Sequence, residues 1–349
     1  MDYYNSGPFL AMPLWYFDFL IFTPARGSDA PVFIGRSSTA ARSGKSRAPS
    51  QNGINSVLRK LRFAFRLMIP AHRGIGWNWQ VKGVPSDPNA KLSKMMYVRA
   101  HLQHVIFTYL RSVAMLVIMG FCSAVQKEYR PGQDWVSSAL DAMIGWSGAI
   151  WVWDRLNCFY SAAAALSVAI GVCERWEWPP LTGQIRDAWS VRQMWSDVYH
   201  QVLRRMLQQP AIRFIRLLRL RKGSLASRYS QLYVSFAISC LFHEFQIFNV
   251  TRKDSGELAF FMSQPLAITA EDLVQWAWKK WRGQSPHNGH VRLHKSIGYI
   301  WVFLWFSYCL PMYIKSLRDA DIIRDVLLEA WPLEKGSSIG LTMATALKA

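Results

Sequence analysis

The sequence predicts an all-α protein, a polytopic transmembrane helical bundle of about six to eight spans or re-entrant helices with cytosolic interfacial helices. Two observations carry this. The apolar residues, 51% of the 349, gather in long blocks that are almost free of charge. The bases, which give a net charge of +19, gather in the loops between those blocks. A bilayer core about 30 Å thick takes roughly 20 helical residues, and the blocks have that length. The same charge scattered over a polar chain would point to nucleic acid. Confined to loops between apolar blocks, it reads as membrane orientation, and no nucleic-acid partner is expected. The five cysteines (122, 158, 173, 240, 309) are odd in number, lie inside apolar stretches and form no CxxC pair, so the chain is not a disulfide scaffold.

In chain order, residues 1–25 predict an N-terminal transmembrane span, since Tyr3–Ala25 carries only Asp18. Residues 26–99 predict a basic cytosolic loop, with 14 Lys/Arg against two acids. Within it, 36–52 is rich in Ser, Ala, Arg and Gly and reads as a flexible linker. Residues 57–69 alternate bases with apolar residues at helical spacing, either a helix lying on the anionic leaflet or a solvated charged face. Residues 100–315 are expected to form the functional core. In it, 100–126, with Arg111 as its one base, crosses outward, and 137–173 makes a net single crossing back, as one span plus a re-entrant helix. Residues 229–251 cross outward, 258–278 return and 296–314 cross outward again. This leaves a mixed-charge tail, 316–349, on the luminal side.

Candidate chemistry sits in two places. His243-Glu244 interrupts an otherwise uncharged block, and ionisable groups at membrane depth usually face the protein interior and serve a function. Helical spacing puts Ser239 and Gln246 on the His243 face, with Glu244 about 100° round the helix. The alternative is a neutral histidine hydrogen-bonded between helices. The second place is 176–205, which opens on Pro179-Pro180, turns at Gly183 and places Ser190 as the N-cap of an amphipathic helix. On that helix Gln193, Asp197 and Arg204 would stand beside His200, with Trp195 among the apolar contacts. It reads as an interfacial helix offering His200 to a cavity, or as a plain interfacial helix with an exposed histidine. His287, His290 and His294 have metal-like spacing but lie in a basic loop without Cys or acid, so no metal is expected. Walker and Gly-x-Ser-x-Gly motifs are absent, and Arg73-Gly-Ile-Gly-Trp77 lacks the third glycine of a dinucleotide loop.

Three motifs in order resemble those of the wax synthase-like branch of the membrane-bound O-acyltransferases, in particular the fungal acetyltransferases of terpenoid and meroterpenoid pathways. They are the RGIGWNW run from Arg73; Pro179-Pro-Leu-Thr-Gly183 with Ser190-Val-Arg192 and Trp195…His200-Gln201; and Ser239-Cys-Leu-Phe-His243-Glu244. The segment Phe260…Gln264…Glu271-Asp272 is also similar, and the likeness covers about residues 70–315. Tyr199 stands where that family prefers Trp, Met194 where it prefers Phe, and the N-terminus is short for it. The resemblance implies acetyl transfer from acetyl-CoA to a hydroxyl of a lipophilic alcohol acceptor, in the endoplasmic reticulum or another endomembrane, with no bound cofactor. Long-chain wax-ester synthesis is the alternative within the class, and transport of a lipophilic metabolite the alternative outside it. An alcohol attacks a thioester only as a base removes its proton. His243 is expected as that base and His200, with Gln201, as the group that positions the thioester or its oxyanion. Trp195, Ser239 and Glu244 are expected in the substrate site, and Arg192, Arg204 and Arg205 near the CoA phosphates. The sequence leaves oligomeric state open.

Overall fold

The computed structural model describes residues 3–23, 27, 30–35, 57, 60–61, 63–64, 67, 73–128, 134–199, 201–254, 256–282, 289–320 and 327–346. These fold into helices joined by short irregular segments, with one isolated β-bridge, Phe33 to Trp77. Helix α1 spans Tyr3–Tyr16 and continues as a π-helical turn, Phe17–Phe22. The linker 36–52 lies outside the described residues. Of the expected helix at 57–69, Val57, Lys60, Leu61, Phe63, Ala64 and Leu67 are helical, and the Phe63 ring meets Trp77 edge-on at 5.0 Å.

The bundle is built from long helices. Helices α2 (Lys94–Glu128) and α3 (Asp134–Ala169) pair along their length, and α8 (Leu327–Ala346) packs on α2. Glycine permits that last contact: a Cβ on Gly336 would meet the Val117 carbonyl at 2.0 Å, and one on Gly120 the Leu333 carbonyl at 2.1 Å. Helices α4 (Arg204–Leu217), α5 (Leu225–Thr251), α6 (Glu257–Arg282) and α7 (Gly289–Asp319) complete the bundle. Ser224 caps α5, its Oγ accepting from Ser227 N, and Arg252 ends it in the left-handed conformation, φ 60°. One core joins Leu116, Met119, Ile144, Trp151 and Ile314 of α2, α3 and α7; a second joins Cys240, Phe260, Phe261, Phe306 and Leu310 of α5, α6 and α7.

One expectation changes. Residues 137–169 form part of one unbroken helix, because no proline interrupts them, so the pair of a span and a re-entrant helix is replaced by α3 and a turn at 170–173. The tail contains the 20-residue α8, which its glycines seat against α2. Among the described residues, two helices qualify as spans by length and composition together, Lys94–Glu128 and Leu293–Asp319.

The RGIGWNW run is not a ligand loop in this fold. Arg73 is 1% exposed, and its guanidinium donates to the Pro180 carbonyl (2.7 Å), the Pro179 carbonyl (2.8 Å) and the Tyr160 hydroxyl (2.6 Å). Gly74, at φ +65°, lies against the Trp79 ring, where a Cβ would come within 2.4 Å. The run thus clamps the double-proline segment to α3.

Replacing Arg73 by Met leaves the Pro180 carbonyl without its donor and the Pro179 carbonyl with the Tyr160 hydroxyl alone, and should lower stability by about 1–3 kcal/mol. Arg73→Lys, which has no planar fork, should recover only part of this. Unfolding in SDS, followed by tryptophan fluorescence, reads both; an unchanged midpoint for Arg73→Met would exclude the clamp.

Candidate functional site

Residues 174–199, with 201, form a strap of short helical turns that connects α3 to α4. Ser190 caps its helical turn as expected, Oγ accepting from Gln193 N at 3.1 Å. The long amphipathic helix expected beyond it does not form. Val191–Gln193 is α-helical, Met194–Val198 is π-helical, Tyr199 is extended, and helix resumes only at Arg204. Other polar groups take up the carbonyls that a continuing helix would have bonded. Gly183 N donates to the Val198 carbonyl at 2.8 Å, and the Gln201 side-chain amide donates to the Ser196 carbonyl at 2.8 Å. His200, beside which Gln193, Asp197 and Arg204 are expected, lies outside the described residues; Arg204 and Gln201 both reach the Ser196 carbonyl. Gly183 is required by close approach: a Cβ there would sit 2.1 Å from the Asp197 carbonyl oxygen.

Two acids and an amide of α6 fix the strap. The Glu271 carboxylate accepts from the backbone N–H of Val191 (2.6 Å) and Arg192 (3.3 Å), and from the Trp301 indole N–H of α7 (2.8 Å). This is an anionic cap placed on a short helix from outside it. Asp272 pairs with Arg192 at 2.5 Å and accepts from the Tyr229 hydroxyl at 3.0 Å. The Gln264 carbonyl, fully buried, accepts from the indole N–H groups of Trp195 (3.2 Å) and Trp305 (3.1 Å). Sequence reading placed these residues in a segment similar to the family's but gave them no role. Polar groups inside an apolar helix were the available signal.

Beneath the strap lies a cavity of about 870 Å³. His243 and Ser239 line it from α5, one helical turn apart, and Trp195, Gln201, Arg192 and Arg204 line it from the strap and α4. The His243 ring stacks on Phe261, with centroids 4.5 Å apart and planes at 10°, and meets Tyr313 edge-on. His200 lies outside the described residues; its neighbours Tyr199 and Gln201 both line the cavity. Burial pushes the Tyr199 hydroxyl well above its ordinary pKa, so the phenol stays protonated.

Two expected residues are placed elsewhere. Glu244 is not among the lining residues, as its helical angle foretold; its carboxylate groups with those of Asp254 and Glu257, oxygens within 4.8 Å. Arg205 is buried at the base of α4, where it pairs with Asp18 at 2.5 Å, bonds Thr23 and lies over the Phe19 and Trp79 rings. Its charge is matched by Asp18, so it ties the N-terminal helix down and stands apart from any phosphate at the cavity. Arg192 is likewise paired, with Asp272, and Arg204 donates to the Lys82 carbonyl at 2.9 Å.

Residues 178–263, which hold the strap, His200 and His243, match the sequence model of the Membrane bound O-acyl transferase family. The resemblance carried by the motifs is thus borne out over the segment that builds the cavity.

The chain is 33% identical over 226 residues to an O-mevalon transferase of Penicillium terrestre, covering 58% of this chain and 51% of that protein. It is 26% identical to an acetyltransferase of Rhodocybe pseudopiperita, covering 76% and 69%, and 29% identical to an acetyltransferase of Aspergillus terreus, covering 69% and 84%. The chain therefore spans about half the length of the first of these relatives. No solved structure matches it.

Replacing Gln264 by Leu leaves two indole N–H groups without their acceptor and should cost about 1–3 kcal/mol, read as a lowered thermal midpoint. Full stability would show that Gln264 does not hold Trp195.

Proposed function

We propose that this chain is a membrane-bound O-acyltransferase that transfers an acetyl group from acetyl-CoA to a hydroxyl of a lipophilic secondary metabolite, a terpenoid or meroterpenoid. The observation that carries the reading is the position of His243. It is an imidazole in an aromatic cavity, inside the segment that matches the acyltransferase family. In the proposed step, the acceptor oxygen attacks the thioester carbonyl carbon while His243 takes the hydroxyl proton. The tetrahedral intermediate collapses, the C–S bond breaks, and the protonated His243 returns its proton to the CoA thiolate. His200 and Gln201 position the carbonyl or its oxyanion, with Trp195 and Ser239 as contacts to the substrates. Arg192, on the strap, and Arg204, at the start of α4, are among the arginines that line the cavity and are proposed to attract the CoA phosphates. Glu244 is proposed to act on the site only through the α5 backbone it shares with His243. The chain needs no bound cofactor in this scheme.

The remaining long helices, α3, α5 and α6, have 36, 27 and 26 residues, enough length to cross a bilayer at 1.5 Å per residue. We read them with α2 and α7 as the polytopic core, the 26–99 and 204–228 segments as cytosolic, and the endoplasmic reticulum or another endomembrane as the location. The lipid bilayer then delivers the acceptor from the side and the cytosol supplies acyl-CoA.

A second reading concerns the acyl group. One of the similar proteins is named as an O-mevalon transferase of Penicillium terrestre and another as one of Aspergillus niger, which favours a larger acyl group than acetyl as the variant to test.

Microsomes carrying the chain, fed with a panel of terpenoid alcohols and acetyl-CoA, should form an acetate ester. His243→Ala, expressed to the same level, should lose turnover by about 10²–10⁴-fold. Near wild-type turnover in that variant would overturn the base assignment, and ester formation only from another acyl-CoA would overturn the acetyl donor.

A further inference from the structure

Arg111 is the one base in the apolar stretch 100–126, and it faces the same cavity as His243. Its Nε and Nη2 are both held by Asp154 of α3. The Asp154 side chain is fully buried, while the Arg111 side chain keeps 40% of its surface accessible. The Phe107 ring lies 5.1 Å from the guanidinium carbon. Nη1 donates to no acceptor among the described residues.

An ion pair in an apolar wall is a poor stabilising device, because desolvation offsets the attraction and apolar residues of similar volume serve as well. Ionisable groups retained at membrane depth are usually functional. Here the pair fixes a planar fork by two of its nitrogens, and Arg111 lines the cavity beside the apolar Met115, Trp146 and Trp153, with Arg192, Arg204 and Arg228 also in the lining. Because Asp154 already neutralises the guanidinium, a second carboxylate arriving there would meet the first. A neutral oxygen would not.

We propose that Arg111, held by Asp154, is a specificity-determining subsite that binds a neutral oxygen, a carbonyl or hydroxyl, of the lipophilic ligand in this cavity. The proposal rests on the acyltransferase reading only for the ligand's role as acceptor; the binding chemistry stands on the cavity alone. Asp154 is a positioning residue and touches no ligand.

The test uses the full chain in lipid nanodiscs and three probes of equal length, 2-tridecanone, tridecane and tridecanoate. Binding is read by quenching of the cavity tryptophans and expressed per mole of probe in the bilayer. Wild type should bind the ketone about tenfold more tightly than the alkane. Arg111→Met combined with Asp154→Leu, which replaces the pair by apolar volume and avoids a bare buried charge, should bind ketone and alkane alike. Asp154→Asn, with an unmatched guanidinium, should shift preference to the carboxylate. Binding is read without acyl-CoA or turnover, so failure of the catalytic reading is told apart from failure of this one. An unchanged ketone preference in the double variant, or a wild type that binds ketone and alkane alike, would overturn the proposal.

Discussion

A guanidinium withdrawn from water must have its N–H groups matched by acceptors, and Arg73 is matched without any carboxylate. Two consecutive proline carbonyls and a tyrosine hydroxyl serve instead. Proline suits this role because its fixed φ and missing N–H leave the carbonyls as the segment's only backbone hydrogen-bonding groups. The arrangement joins three parts of the chain distant in sequence: the loop before α2, helix α3 and the start of the strap. Everything downstream depends on where the strap starts. Gly183, four residues on, meets the far end of the same strap through Val198, so the segment closes on itself beside the cavity.

The other end of the constraint comes from α6. Its Glu271 caps the strap's helical turn and its Gln264 holds Trp195, while Phe261 of the same helix supports the His243 ring. One helix therefore sets the register between the strap and α5. That explains why the family-like motifs are scattered in sequence. Each is one contact surface of a single structure, and none is a self-contained binding loop.

Much of this was legible in the sequence. The uncharged blocks gave long helices because a long apolar run has few other ways to satisfy its backbone in lipid or in a helical core. Ser190 announced its cap, and Ser239 and His243 shared a face because the 3.6-residue period leaves no choice. The strap was not legible. Its polar and apolar spacing fits a helix, and only tertiary partners, Gly183 for Val198 and Gln201 for Ser196, interrupt it. Arg205 misled for a related reason: a base in a basic run looks available, and nothing local reveals that Asp18, 187 residues earlier, neutralises it. The role of α8 was hidden in Gly120, Gly336 and Gly340, whose meaning lies in the neighbour they admit.

The central claim is a direct transfer from thioester to alcohol, with His243 moving the proton and no acyl group passing through the protein. Ser239, one turn from His243 at the cavity, and Cys240 beside it are the side chains that a covalent route would use. Single-turnover reaction of the purified chain with radiolabelled acetyl-CoA and an accepted terpenoid alcohol decides between them. Direct transfer predicts label in the ester at the rate CoA is released, with the protein unlabelled at every time. Label that reaches Ser239 or Cys240 first, and leaves for the ester afterwards, would contradict the account.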